Sequence, residues 1–435
     1  MEVQTPEPAI LADIADDSAG ALAAQTTGPA CRFCGAPLEQ TFVDLGMSPL
    51  CESYVPADRV AAMEAFYPLH AKVCESCLLV QLEEFVTADA IFGEYAYFSS
   101  YSDSWVEHAR RYVDMAIERF ELDADSVVVE LASNDGYLLQ HVVARGIPAL
   151  GIEPAANVAR AAQDRGIETV VEFFGRDLAA RLVAEGRSAD LLVANNVMAH
   201  VPDLNDFVGG IAMVLADTGV ATIEVPHLLC LVEHNQFDTI YHEHFSYFSL
   251  LTARRVLQAH GLELFDVDEL KSHGGSLRLY AQLAGTGRQA VSPRVEQLAE
   301  RERSLGFDTL EAHESFADQV NETKWKLLEF LIARRREGKR IAGYGAPGKG
   351  NTLLNFCGIR TDLLEYTVDR NPYKQGSFLP GTHIPIRHPE VLEQDRPDYI
   401  VILPWNLKDE IVEQLAYARE WGAKFVVPIP QVEVL

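Results

Sequence analysis

The apolar positions of this chain form a repeating pattern that starts at Ser126. SVVVEL (126–131) is a continuous apolar run of strand length, and YLLQHVVARG (137–146) carries apolar residues at helical spacing up to Gly146. PALGIEP (148–154) reads as a second strand, NVARAAQDRG (157–166) as a second helix and DLLVANN (190–196) as a later strand. Strands that are apolar throughout and alternate with helices predict a parallel sheet covered on both faces. The pattern restarts at KRIAGYG (339–345), continues through a helix, EYTVDRN (365–371) and YIVILPW (399–405), and predicts a second doubly wound α/β domain. A long helical stretch near 290–337 separates the two. Residues 85–125 read as a helical linker with an aromatic cluster, Tyr95, Tyr97, Phe98 and Tyr101, followed by Trp105; most such clusters are core.

Ahead of these units the pattern is different. Residues 1–29 are rich in Ala, Thr and Asp and lack aromatic residues, as a mobile tail does. Residues 30–84 predict short strands and turns and hold two cysteine pairs, Cys31 with Cys34 and Cys74 with Cys77. Seven cysteines, an odd number, argue against a disulfide framework. Two CxxC turns each point two sulfurs at one ion, and zinc is the natural occupant. Four thiolates close the coordination shell, so this metal is expected to hold the fold and do no chemistry. The expected architecture is α/β, with an N-terminal zinc-binding module at 30–84, a central Rossmann-like domain with its linker at 85–290 and a second Rossmann-like domain at 291–435.

Composition narrows the function. The 435 residues are 48% hydrophobic and 23% charged, which excludes a disordered or collagen-like chain. Thirty-six basic against 64 acidic residues leave a formal charge of −28, so nucleic acid is not an expected partner. No apolar run spans a bilayer, and the N-terminus opens with acidic residues where a secretory signal is positive. A cytoplasmic chain without a membrane partner is expected.

Each α/β unit carries a nucleotide-type loop after its first strand. In the first, Glu130, Ala132, Asn134, Asp135 and Gly136 lie in ELASNDG, and Glu153 ends the second strand, where a carboxylate can accept from both ribose hydroxyls. The loop lacks GxGxxG and holds acids without a basic residue, which suits a cofactor with a cationic centre better than a diphosphate. S-adenosylmethionine has a sulfonium, an adenosine and no phosphate. The second loop, GYGAPGKGN (343–351), does match GxGxxG through Gly343, Gly345 and Gly348, adds Lys349 and precedes Asp369 at the end of the next strand. It suits a dinucleotide or a nucleotide-linked substrate equally.

Between the units lies YHEHFSYFS (241–249), preceded by EVPH (224–227). Its histidines stand at i, i+2, unlike the i, i+4 pair of a helical metal site, so acid–base work is the favoured reading of the segment, with histidine suited to a base and a tyrosine hydroxyl to a developing oxyanion. In a regular strand Tyr241 and Glu243 share a face and His244 points away, so convergence requires the segment to bend. His200, in NNVMAHV (195–201), follows a strand at the carboxyl edge of the first sheet, where open α/β domains bind ligands.

The order CxxCG, CxxC, ELASNDG, GIEP, NNVxAH, YHEHFSYFS, SHGGSLR and GYGAPGKGNTLLN resembles the S-adenosylmethionine-dependent sugar C-methyltransferases that act on nucleotide-linked 4-keto-deoxysugars, from about Cys31 almost to the C-terminus. The resemblance implies a zinc-binding module, a central methyltransferase domain and a C-terminal α/β domain that helps to hold the substrate nucleotide. It assigns the methyl donor to the first loop, with Glu130, Ala132, Asn134, Gly136, Glu153 and Asn195, and the sugar nucleotide to the second, with Gly345, Gly348, Lys349, Asn351 and Asp369. It makes Tyr241, Glu243 and His244 the catalytic trio, with His200 lining the pocket and Tyr95 reaching in from the linker. His244 would remove the proton at the sugar C3, beside the C4 ketone, and the enolate would take up the methyl group. No obligatory protein partner is implied. Two alternatives stay open: an NAD-dependent sugar-nucleotide dehydrogenase or epimerase using the Gly343 loop, and a zinc-ribbon scaffold without turnover.

Overall fold

The computed structural model describes residues 28–88, 99–101 and 103–435. The N-terminal module is an antiparallel arrangement of β1 (Thr41–Ser48), β2 (Tyr67–Val73) and β3 (Val80–Gln81). A fourth strand comes from far along the chain, where Ser246–Tyr247 pairs antiparallel with β3. In β2 the buried Leu69, Ala71 and Val73 alternate with half-buried residues, so one face of the hairpin packs.

The central sheet begins with β4 (Val128–Leu131), β5 (Ala149–Ile152), β6 (Thr169–Val170), β7 (Ala189–Asn195) and β8 (Leu215–Pro226), all parallel. After β9 (Ser246–Tyr247), the strands β10 (Leu262–Leu270) and β11 (Ser276–Leu283) complete it. β11 lies antiparallel between β8 and β10, and the spatial order is β6-β5-β4-β7-β8-β11-β10. Side-chain alternation divides the strands between two cores: Val128, Leu191 and Val193 face the helix Asp103–Phe120, whereas Val129, Leu192 and Ala194 face the helices Leu204–Val214 and Leu250–Ala259. The helix Pro293–Ser304 sends Val295, Leu298 and Ala299 into that second core, so it belongs to the central sheet in packing.

The C-terminal sheet consists of β12 (Ile341–Tyr344), β13 (Thr367–Val368), β14 (Ile386–Arg387), β15 (Tyr399–Ile402), β16 (Lys424–Val427) and β17 (Glu433–Val434). Its order is β14-β13-β12-β15-β16-β17, parallel except for β17. The strand order reverses at β12, so the Gly345–Gly348 loop stands at the switch point where such sheets bind ligands. The helices Phe316–Arg336 and Gly348–Cys357 cover one face.

The N-terminal module shares cores with both larger domains. Cys31, Cys74, Cys77 and Leu79 pack into the central core, while Phe42, Val43, Leu69 and Ala71 pack into the C-terminal one, where Phe42 stacks on Phe316 at 4.7 Å. The connection between β1 and β2 reaches across to the C-terminal domain. Val55 and Phe378 exchange both backbone hydrogen bonds, at 2.9 and 2.8 Å, and the Asn351 amide donates to the Cys51 carbonyl at 2.5 Å. Among the described residues, no helix is long and apolar enough to cross a membrane.

Candidate active site

The four sulfurs of Cys31, Cys34, Cys74 and Cys77 all lie within 4.8 Å of one another, with Cys31–Cys77 and Cys34–Cys74 at 3.5 Å. A tetrahedral zinc with metal–sulfur bonds of about 2.3 Å separates its sulfurs by about 3.8 Å, so this donor set fits the ion. The outer shell is present too: the Gln81 amide donates to Cys31 Sγ at 3.1 Å and accepts from the Arg32 amide at 2.9 Å. Arg32 then donates to the Pro202 carbonyl at 2.8 Å and stacks over Phe245, which joins the metal knuckle to the segment after His244.

One cavity of about 440 Å³ lies where the three parts meet. The segment with the titratable residues enters it as a turn. His244 N–H donates to the Tyr241 carbonyl at 2.9 Å, which reverses the chain over His242 and Glu243 and places Tyr241, Glu243 and His244 on the cavity wall together. His242 is turned away and contacts the Pro68 carbonyl at 3.2 Å. Phe245 N–H donates to the Ala199 carbonyl at 2.7 Å, which draws in the neighbouring His200. The His244 ring consequently lies 4.2 Å from Tyr241 and 4.6 Å from His200, centroid to centroid. Its Nδ1 contacts the Thr239 carbonyl at 3.1 Å. A carbonyl only accepts, so Nδ1 carries a proton, and in the neutral form of the ring Nε2 then holds the lone pair, the tautomer a base requires.

Glu243 is buried, and burial followed by the charge of Glu52 raises its pKa from 4.5 to about 8. Its Oε1 accepts from the Cys51 thiol at 3.7 Å. Burial raises that thiol well above its ordinary range as well, helped by Glu243 and Glu52. At neutral pH this corner therefore holds a protonated carboxyl, which can donate to a ligand oxygen.

On the central-sheet side, Ala132, Asn134, Glu153 and Asn195 line the cavity. The loop from β4 takes left-handed backbone at Ala132, Asn134 and Gly136. Gly136 has a steric reason as well, since a Cβ there would stand 2.2 Å from Ile167 Cδ1. Glu153 shapes the loop by accepting from the amides of Asn134 at 3.0 Å and Ala155 at 2.8 Å. Glu130 and Gly136 lie beneath the lining. Glu130 is 1% exposed, among the described residues neither of its carboxylate oxygens has a hydrogen-bond partner, and burial with the charges of Glu153 and Asp135 holds its pKa well above the carboxylate range. The groups that reach the cavity here, Asn134, Glu153 and Asn195, are hydrogen-bonding side chains that fit the hydroxyls and amine of a ligand such as S-adenosylmethionine.

On the C-terminal side, Gly348 and Lys349 line the cavity at the start of the helix Gly348–Cys357. Lys349 Nζ donates to Asn406 Oδ1 at 3.0 Å and lies over the Trp405 ring. The structure does not bring Gly345, Asn351 or Asp369 to the cavity. Gly345 abuts Pro404, Asn351 is buried against Cys51, and the Asp369 carboxylate accepts from the amides of Ala346 and Asn371 at 2.7 and 2.8 Å. Tyr95 lies outside the described residues. Cys51, Glu52, His227 and Gln236 also line the cavity and were not expected there. His227 directly follows β8 at the carboxyl edge of the sheet, a placement that could have flagged it; Cys51 and Glu52 carry no local signal.

Known families match the chain in the same three-part order. Residues 31–92 match a zinc binding domain, 105–267 a methyltransferase domain and 271–430 the C-methyltransferase C-terminal domain. The chain belongs to the S-adenosylmethionine-dependent C-methyltransferases. Over 405 residues it is 36% identical to the C-methyltransferase NovU of Streptomyces niveus, a likeness that covers 93% of this chain and 96% of the relative. Among solved structures, magnesium protoporphyrin IX methyltransferase from Synechocystis PCC 6803 with bound S-adenosylmethionine is 14% identical at a TM-score of 0.31, with 41% of this chain and 81% of that one covered. An S-adenosylmethionine-dependent methyltransferase from Clostridium acetobutylicum is 9% identical at a TM-score of 0.32, with 41% and 92% covered. S-adenosylmethionine is the cofactor and zinc the structural metal; the dehydrogenase alternative gains no support from these matches.

Proposed function

We propose that this enzyme methylates C3 of a nucleotide-linked 4-keto-6-deoxysugar. The observation that carries the reading is the meeting of His244, Tyr241, His200 and Glu243 in one cavity, with Glu153 and Asn195 on one side and Gly348 and Lys349 on the other. A sugar C3 is not nucleophilic, but a C4 ketone acidifies its proton. His244 Nε2 takes that proton, and the Thr239 carbonyl holds the ring in the tautomer for it. Tyr241 and His200 flank the base and stabilise the oxyanion that develops at C4. Glu243, protonated at neutral pH, positions the sugar by donation without adding negative charge beside the enolate. S-adenosylmethionine supplies the electrophilic methyl group that the enolate carbon accepts. Lys349 and the helix start beside it offer positive charge to the substrate diphosphate.

The test is mass spectrometry after incubation with trideuteromethyl S-adenosylmethionine and a panel of nucleotide-linked 4-keto-6-deoxyhexoses. The expected result is label on a sugar carbon. Donor binding without transfer to any member of the panel moves the acceptor to another class.

A further inference from the structure

The fully buried Glu302, in the helix Pro293–Ser304, is far from the cavity lining in sequence and joins it through three contacts. Its Oε1 lies 2.7 Å from His227 Nε2 and accepts from Leu250 N–H at 2.7 Å, and its Oε2 accepts from Leu251 N–H at 2.9 Å. His227 directly follows β8 and lines the cavity. Leu250 and Leu251 open the helix Leu250–Ala259, whose N-cap Ser249 closes the YHEHFSYFS segment. Residues 228–249, which carry Tyr241, Glu243 and His244, therefore leave and return at a single carboxylate. Between these ends, Leu228 N–H donates to the Phe248 carbonyl at 2.8 Å. Burial of a carboxylate is strongly unfavourable unless its partners are in place, so a glutamate here holds all three donors to one geometry. The anion also suits a helix N-terminus. Burial opposes the charged form of His227, but the Cys230 and Glu302 contacts outweigh it and raise its pKa to about 9.

We propose that Glu302 is a positioning residue of the active site, a clasp that fixes both ends of the catalytic excursion through His227 and through the amides of Leu250 and Leu251. Resting on the reading of Tyr241, Glu243 and His244 as the reacting residues, it places a determinant of the methyl-transfer rate in a helix that touches neither donor nor acceptor. Glutamine at 302 keeps the volume and replaces one acceptor oxygen by an amide donor, which opposes at least one of the three bonds. Shortened reach, as in Glu302→Asp, keeps the charge.

The experiment combines hydrogen–deuterium exchange of the full-length protein with steady-state kinetics on wild type, Glu302→Gln, Glu302→Asp, His227→Gln and the Glu302→Gln/His227→Gln double variant. Expected is at least tenfold faster exchange across 228–249 in Glu302→Gln with β4 and β7 unchanged, and a tenfold or greater fall in kcat with acceptor KM and donor Kd within about twofold. Glu302→Asp recovers part of the kcat, and the double variant is no slower than the slower single one. Unchanged exchange across 228–249, a kcat equal to wild type, or equal acceleration in β4 and β7 overturns the proposal. If Glu302→Gln does not fold, His227→Gln decides alone by the same readouts. Exchange needs no acceptor, so a wild type that methylates no sugar refutes the function, and the exchange across 228–249 then decides the clasp by itself.

Discussion

Replacement of Glu243 by glutamine gives a pH-dependent stability difference whose size follows from its surroundings. Glu243 is 6% exposed, and burial with the charge of Glu52 lifts its pKa from 4.5 to about 8. The folded-state value thus lies above the unfolded one, so between them the folded chain holds a proton that the unfolded chain has released. Wild-type stability from this group is full below the unfolded value and is lost as the pH rises through about 8. Each pH unit within that window is worth about 1.4 kcal/mol, or about 4 to 5 kcal/mol over the whole of it. Glutamine does not titrate. Glu243→Gln should therefore gain on wild type by about 2 to 3 kcal/mol when the pH is raised from ~5.5 to ~7.5, and the gain should level off above ~8.5. Urea unfolding of both proteins side by side across these pH values measures it. A difference independent of pH would refute the protonated Glu243, and with it the donating role given to this carboxyl in the site.

Other consequences are open to direct measurement. His244→Asn should lower methyl transfer by about two to four orders of magnitude while calorimetric titration finds the donor affinity unchanged. Gly136→Ala should destabilise by about 2 to 5 kcal/mol, because left-handed backbone and overpacking against Ile167 both oppose a side chain, and should weaken donor binding in the same titration. Cys77→Ser, or removal of zinc by a chelator, should cost activity as well as melting temperature, because the same module carries Cys51 and Glu52 into the cavity; elemental analysis alongside the activity assay follows both.

The parallel parts of the two sheets were legible because β4, β5, β7, β12 and β15 are largely apolar and their connections return through helices, and the zinc site because CxxC spacing is local; the antiparallel strands β10, β11 and β17, which carry polar residues, were not. The convergence of Tyr241, Glu243 and His244 was visible only as a requirement. YHEHFSYFS contains neither Gly nor Pro, and the turn between Tyr241 and His244 forms where β9 pairs with β3, far away in sequence. The same limit applies to the second glycine loop. Its GxGxxG pattern is real, yet Asp369 spends its oxygens on the amides of Ala346 and Asn371, and Asn351 ties the C-terminal domain to the N-terminal module. Short motifs give residue types and local turns, but partners brought by distant segments decide which of those residues face a ligand. Glu302 is the extreme case: in sequence it is one glutamate in the charged run AERERS, and only its contacts with His227 and with the start of the helix Leu250–Ala259 distinguish it.

The central claim is that His244 makes a carbon nucleophile, and it can be measured without methyl transfer. In deuterium oxide, with S-adenosylhomocysteine filling the donor site, wild-type enzyme should exchange the C3 proton of a nucleotide-linked 4-keto-6-deoxyhexose into solvent, as followed by proton NMR, and His244→Asn should not. Equal exchange by the two proteins would contradict the account, because the base would then be another group.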